Sequence, residues 1–189
     1  MDIFGTLVRL RAIEWEDLCL LAKWHNDPDI AHYLGGWSFP IGLAQQRIWF
    51  EQALSDKLTQ RFIIEVLEDQ EPIGMTGLWK IDWKNREAES GLLIGDGHRG
   101  KGYGTDTVFA VMRFGFEELG LNRLWAEIIA YNSPSLRVYI DKCGWTEEGV
   151  LRQKIFRDGV FNNVVVSAIL RQEYTVSTKV RDWKEQLRK

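Results

Sequence analysis

The chain has 189 residues, 45% of them hydrophobic and 27% charged, and a formal net charge of −3. That length suits one domain, and the composition excludes a disordered polymer. The mild negative balance, with no run of lysine or arginine, argues against nucleic acid as a partner.

The first residues lack the basic start and long apolar core of a signal peptide, and no stretch approaches the roughly 20 apolar residues of a membrane span. A soluble, cytoplasmic protein with no membrane partner is expected. Cys19 and Cys143 lie far apart and suit two reduced thiols in a core. The histidines His25, His32 and His98 show no ligand spacing, so no metal is expected.

Alternation over 6–11 predicts a first strand, and Leu18, Leu21 and Ala22 mark a helix over 14–24 that Asn26-Asp27-Pro28 ends. A loop over 27–40 follows, then a helix over 43–55. Strands over 61–68, 73–81 and 88–94, separated by polar turns, form an antiparallel meander. On the third of these, Glu87, Glu89 and Gly91 share one face while Ala88, Ser90 and Leu92 share the other.

A glycine-rich segment comes next, and a helix over 103–119 whose apolar face is Val108, Val111, Met112, Phe116 and Leu119. A strand over 124–130, a short helix over 133–142 and a strand pair over 149–156 and 161–170 complete the pattern. This is an α/β domain over 1–175: a single mixed, mostly antiparallel sheet flanked by helices, with a charged helix or tail over 176–189.

The segment Gly95-Asp96-Gly97-His98-Arg99-Gly100-Lys101-Gly102-Tyr103-Gly104 joins a strand to a helix. Glycines let a ligand approach the backbone, and the first amides of a helix lack internal partners at its positive end. A phosphate group is the natural guest. Gly95, Gly97 and Gly100 match the dinucleotide fingerprint, but that motif opens a parallel βαβ unit, whereas here an antiparallel meander precedes it. Gly95, Gly100 and Lys101 come within one residue of a triphosphate P-loop, but Gly102 stands where its magnesium-binding hydroxyl belongs.

The third match reaches furthest. Arg99-x-x-Gly102-x-Gly104 resembles the acyl-CoA pyrophosphate loop of the GCN5-related N-acetyltransferases. Asn132-Ser133-Pro134-Ser135, Tyr139 and Lys142-Cys143-Gly144-Trp145 are similar to a second segment of that family. Val8-Arg9-Leu10-Arg11 and Trp24-His25-Asn26-Asp27-Pro28 resemble the branch with ribosomal-protein N-terminal acetyltransferases (RimJ/RimL-like) and spermidine acetyltransferases. The likeness runs from about residue 6 to 172.

The resemblance implies transfer of an acetyl group from acetyl-CoA to a primary amine, a peptide N-terminus or a small amine, by direct attack in a ternary complex. It implies a cofactor site at Arg99, Gly100, Lys101, Gly102, Tyr103, Gly104 and Thr105, with Asn132 on the CoA arm or as a plain helix cap. Leu92, Leu93 and Ile94 would serve through backbone amides, freed where two strands part. Tyr139 would give the departing thiolate a proton, or else pack in the core. Glu89, near the acyl end, is the candidate base, with a solvated strand carboxylate as the alternative.

Acceptor-site walls are expected from Tyr33, Trp37 and Phe161, with Phe39, Trp79, Trp83 and Phe156 nearby and at least half of these aromatic rings buried. A non-catalytic acyl-CoA sensor and a nucleotide-dependent enzyme remain as other readings, and a monomer and a homodimer are both compatible with the sequence.

Overall fold

The computed structural model describes residues 2–35 and 39–188. Its frame is one sheet in the order β1-β2-β3-β4-β5-β6-β8-β7. The strands are β1 (Ile3–Phe4), β2 (Val8–Arg11), β3 (Gln60–Val66), β4 (Pro72–Asp82), β5 (Glu87–Ile94), β6 (Arg123–Ile129), β7 (Thr146–Arg157) and β8 (Val160–Leu170). Every neighbouring pair is antiparallel except β5 with β6. The mixed, mostly antiparallel sheet with flanking helices is the expected architecture, and a single parallel pair among the described residues is not a dinucleotide-binding sheet.

The chain reaches β6 from β5 through α4 (Tyr103–Arg113) and a π-helical turn over Phe114–Glu118. The predicted face lands in the core: Val108, Val111, Met112 and Phe116 are buried, and Leu119 packs against them. The helical run is wider at its end than expected. Leu119 N–H bonds Phe114 C=O at 3.0 Å and Leu121 N–H bonds Gly115 C=O at 2.9 Å. A β-carbon on Gly115 would come within 3.2 Å of both Leu124 methyls, so the wide turn packs directly on β6.

The other face of the sheet is covered by α1 (Leu18–His25), α2 (Pro28–Tyr33) and α3 (Leu43–Ala53). Leu18, Leu21, Trp24 and Ile30 bury there against Ile63 and Leu93. The segment expected as a loop over 27–40 therefore begins with a helix. Asp27 caps α2, accepting from the Asp29 and Ile30 amides at 2.9 and 3.3 Å, and Pro28 fills its first position. Aspartate followed by proline halts one helix, but it is equally a helix start.

After β6 come α5 (Ser133–Leu136) and a π-helical turn over Arg137–Lys142. β7 begins three residues earlier than the sequence predicts. Beyond β8, α6 (Arg171–Val176) and α7 (Thr178–Leu187) close the chain. α7 is charged outside, but Val180 and Trp183 are buried in the main core. Of the two cysteines, Cys143 is buried and Cys19 is exposed, so only one thiol belongs to the interior. No helix among the described residues is long and apolar enough to cross a membrane.

Candidate active site

β5 and β6 pair over only three positions, Glu87 with Arg123, Ala88 with Leu124 and Glu89 with Trp125. Past that row β5 continues beside β4 alone, while β6 continues beside β8. A wedge opens between two strands that would otherwise share a ladder, leaving the backbone groups of the β5 end without β6 as a partner. The expectation that two strands part here is met in the geometry.

One cleft of ≈ 940 Å³ runs from this wedge to the start of α4. Its walls include Leu92, Leu93, Ile94, Arg99, Gly100, Gly102, Gly104, Thr105, Asn132 and Tyr139, residues the sequence singles out from four separate stretches. Tyr33 of α2 also lines it.

At the helix end of the cleft, Gly102 caps α4 with φ +90°, a left-handed conformation that side chains resist. The Asp106 amide closes the first helical bond onto Gly102 C=O at 3.1 Å. The amides of Tyr103, Gly104 and Thr105 precede it and have no partner inside the helix. A β-carbon at Gly104 would reach toward Leu92 and Val138, two cleft walls, at 3.9 Å. The open backbone, the free amides and the cationic rim of Arg99, Arg137, Lys142 and Lys179 fit the diphosphate of CoA. The side chains of Lys101 and Tyr103 do not line the cleft: Lys101 is exposed and Tyr103 packs on the core.

Tyr139 sits in the π-helical turn, where consecutive Val138 and Tyr139 both reach the cleft. Its ring is 2% exposed, edge-on to Trp145 at 4.7 Å, and its hydroxyl lies 3.5 Å from Ser90 Oγ. Burial pushes this phenol well above its ordinary range, outweighing a smaller lowering from Ser90. Of the two roles open to it, Asn132 performs the helix cap, accepting from the Ser135 amide at 3.2 Å, and it also lines the cleft and donates to Tyr33 C=O at 3.3 Å.

Glu89 occupies the last paired row before the wedge, on the face away from Ser90 and Tyr139. Its side chain is 13% exposed and pairs with Lys80 Nζ at 2.7 Å through Oε2. Trp79 shares its face, since a β-carbon on Gly91 would strike the Trp79 ring at 2.6 Å. Two residues along β6 from Trp125, Glu127 faces the same way and pairs with Lys154 at 2.5 Å. Glu127 is not among the residues the sequence singles out, and Ser90 is placed on a strand face without a role, because only the strand register relates them to the wedge.

The aromatic residues behave differently from expectation. Tyr33, Phe39, Trp83, Phe156 and Phe161 are all exposed, Phe161 at 61%, rather than half of them being buried. They stand on a helix end, on turns and on the outer hairpin, where no further element covers them. Phe161 packs on Phe156 at 4.9 Å and lies outside the cofactor cleft, so it and Tyr33 do not line one cavity. The hairpin does touch α2: His32 Nδ1 lies 3.1 Å from Asp158, and Arg157 donates to Leu34 C=O at 2.8 Å. Trp37 lies outside the described residues. Among the described residues no group of three or more metal-ligating side chains is present.

A family model described as an acetyltransferase (GNAT) domain matches residues 8–146. The uncharacterized N-acetyltransferase p20 of Bacillus licheniformis is 32% identical over 174 residues, covering 91% of this chain and 97% of that protein. The spermidine N(1)-acetyltransferase of Escherichia coli K12 is 26% identical over 172 residues, covering 91% and 90%. A Vibrio cholerae spermidine N-acetyltransferase, solved in complex with CoA and spermine, superposes with a TM-score of 0.85 at 24% identity. That match covers 90% of this chain and 99% of that one, and it establishes the shared fold. The chain belongs to the GNAT acetyltransferase family and is an acetyl-CoA-dependent N-acetyltransferase.

Proposed function

We propose that the acceptor is a small primary amine, held on the Glu89 side of the sheet and acetylated through the wedge between β5 and β6. The observation that carries this reading is that glycine loop, wedge and Tyr139 share one continuous cleft. When bound, acetyl-CoA supplies a thioester whose carbonyl carbon takes the amine and whose sulfur leaves.

Loop 99–105 binds the diphosphate through its amides, and Asn132 borders the thiol arm. The backbone of Leu92, Leu93 and Ile94, unpaired toward β6, supplies donors that orient the arm and stabilise charge on the carbonyl oxygen. The Tyr139 phenol, kept neutral by burial, holds the proton that the departing sulfur needs. Glu89 takes a proton from the acceptor ammonium, directly or through water.

The choice of a small cationic amine rests on Glu89 and Glu127, two carboxylates facing one side of the wedge. The relatives that match about nine-tenths of this chain include spermidine acetyltransferases. The exposed Phe156–Phe161 pair of the outer hairpin suits the methylene chain of such an amine.

The test incubates the protein and acetyl-CoA with polyamines, monoamines, amino sugars, amino-terminal peptides and alcohols, recording thiol release and product mass. A small amine N-acetylated with the highest kcat/KM supports the proposal. Preference for peptides, acetylation on oxygen or hydrolysis alone overturns it. CoA binding with no turnover on any acceptor would make the protein a binding module.

A further inference from the structure

We infer that the C-terminal helix α7 positions the diphosphate cradle through Trp183 and Asp106. The inference rests on the reading that the diphosphate sits on loop 99–105. α7 lies well beyond residues 8–146, where the family model matches, yet Lys179, Asp182, Trp183 and Gln186 line the cofactor cleft.

Asp106 stands in the first turn of α4, one turn inside the helix end that faces the cleft, and is 4% exposed. Its carboxylate collects five donors. Oδ1 accepts from Trp183 Nε1 at 2.6 Å, Thr6 Oγ1 at 2.8 Å and the Thr6 amide at 2.9 Å. Oδ2 accepts from the Leu7 amide at 2.8 Å and the Val8 amide at 3.0 Å. One buried carboxylate thus ties the amino-terminal turn and the carboxy-terminal helix to the start of α4.

Two consequences reach the cradle. The first is electrostatic. A carboxylate and a diphosphate compete for the positive end of the same helix, and the five donors spread the carboxylate's charge away from the guest. The second is steric. Leu7 belongs to the turn that Asp106 holds, and its Cδ1 would lie 3.4 Å from a β-carbon on Gly102, so the turn rests against the glycine loop. Trp183 is fixed for this work by Phe109, stacked at 5.5 Å and 20°, with the Arg113 guanidinium 5.9 Å from its ring. Trp183 and Asp106 are positioning residues.

The experiment measures CoA by calorimetry and pantetheine, which has the thiol arm without the diphosphate, by competition against it. Trp183→Phe keeps the stacked ring and removes only the N–H. It should weaken CoA about five- to tenfold while changing pantetheine less than about twofold. Thr6→Val removes another donor to Oδ1 from the opposite end of the chain, and should give the same selective loss, about threefold, even where Trp183→Phe does not fold. Unchanged CoA affinity, or equal weakening of CoA and pantetheine, overturns the inference. If Gly102→Val abolishes CoA binding while Trp183→Phe leaves it intact, only this inference falls. If Gly102→Val leaves CoA binding intact, the cradle reading itself falls.

Discussion

The Tyr139 hydroxyl lies 3.5 Å from Ser90 Oγ, joining the turn over 137–142 to the middle of β5, one residue past its last row paired with β6. Ser90 is a buried hydroxyl beside a buried phenol. Tyr139→Phe keeps the ring on Trp145 and removes the proton donor. The expected result is a fall in kcat of roughly 10²-fold with CoA affinity unchanged, read by steady-state kinetics and calorimetry. Ser90→Ala leaves the donor and loses its orienting partner, so kcat should fall only about threefold to tenfold. Full activity in Tyr139→Phe would leave Tyr139 as a packing residue.

Gly102 holds φ +90° at the cap of α4, with Leu7 close by. A valine there is strained whatever the space, and its methyls crowd the amides that face the cleft. Gly102→Val should weaken CoA binding tenfold or more, about 1.4 kcal/mol, by calorimetry on folded protein. Gly104→Ala, whose new methyl would project toward Leu92 and Val138, should raise KM for acetyl-CoA and leave KM for the amine unchanged.

Glu89 pairs with Lys80 across the β4–β5 turn. Glu89→Gln removes the proton acceptor while keeping the shape. The rate should drop most at low pH, where the acceptor amine is most firmly protonated, and the loss should shrink as pH rises toward the amine's own pKa. A pH–rate profile of unaltered shape and height would assign the proton to a water chain instead.

Cys143 provides a pH test independent of catalysis. Burial pushes its thiol well above the ordinary range, with Lys179 opposing and Asp106 adding. In the unfolded chain the thiol ionises near 8.5. Its stabilising contribution is therefore complete below about pH 8.5 and is lost as pH climbs further, because the unfolded state releases a proton that the folded state keeps. Urea unfolding of Cys143→Ala should show a shallower loss of stability between about pH 8.5 and 10 than the parent shows. Equal slopes would refute the assignment.

Gly5 marks how tightly the amino-terminal turn closes on α4. A β-carbon at this position would sit 2.2 Å from Asp106 Oδ2, and that carboxylate cannot swing aside without abandoning its donors. Gly5→Ala should cost roughly 1–3 kcal/mol in denaturant unfolding, the range typical of an overpacked interior. A stability within experimental error of the parent would mean that the turn is held less firmly than the geometry implies.

The parts of this protein that follow from neighbouring residues could be read directly from the chain. The apolar repeat of α4 and the strands of the meander follow from side-chain spacing. The glycine loop follows from backbone freedom, and Asn132 as a cap from its place before Ser133-Pro134. Where one local signal served two purposes the reading stopped short: Asp27-Pro28 ends α1 and also starts α2. The remaining features join residues far apart in sequence. Ser90 meets Tyr139, Trp183 meets Asp106, and Glu127 faces the same way as Glu89, because β6 pairs in parallel with β5 and the last helix folds back on α4. Periodicity says which face of an element is apolar, but not which element will cover it. That choice follows from strand order and from the burial gained when all the faces close together, which left Trp183 inside and the aromatic residues of the outer hairpin exposed.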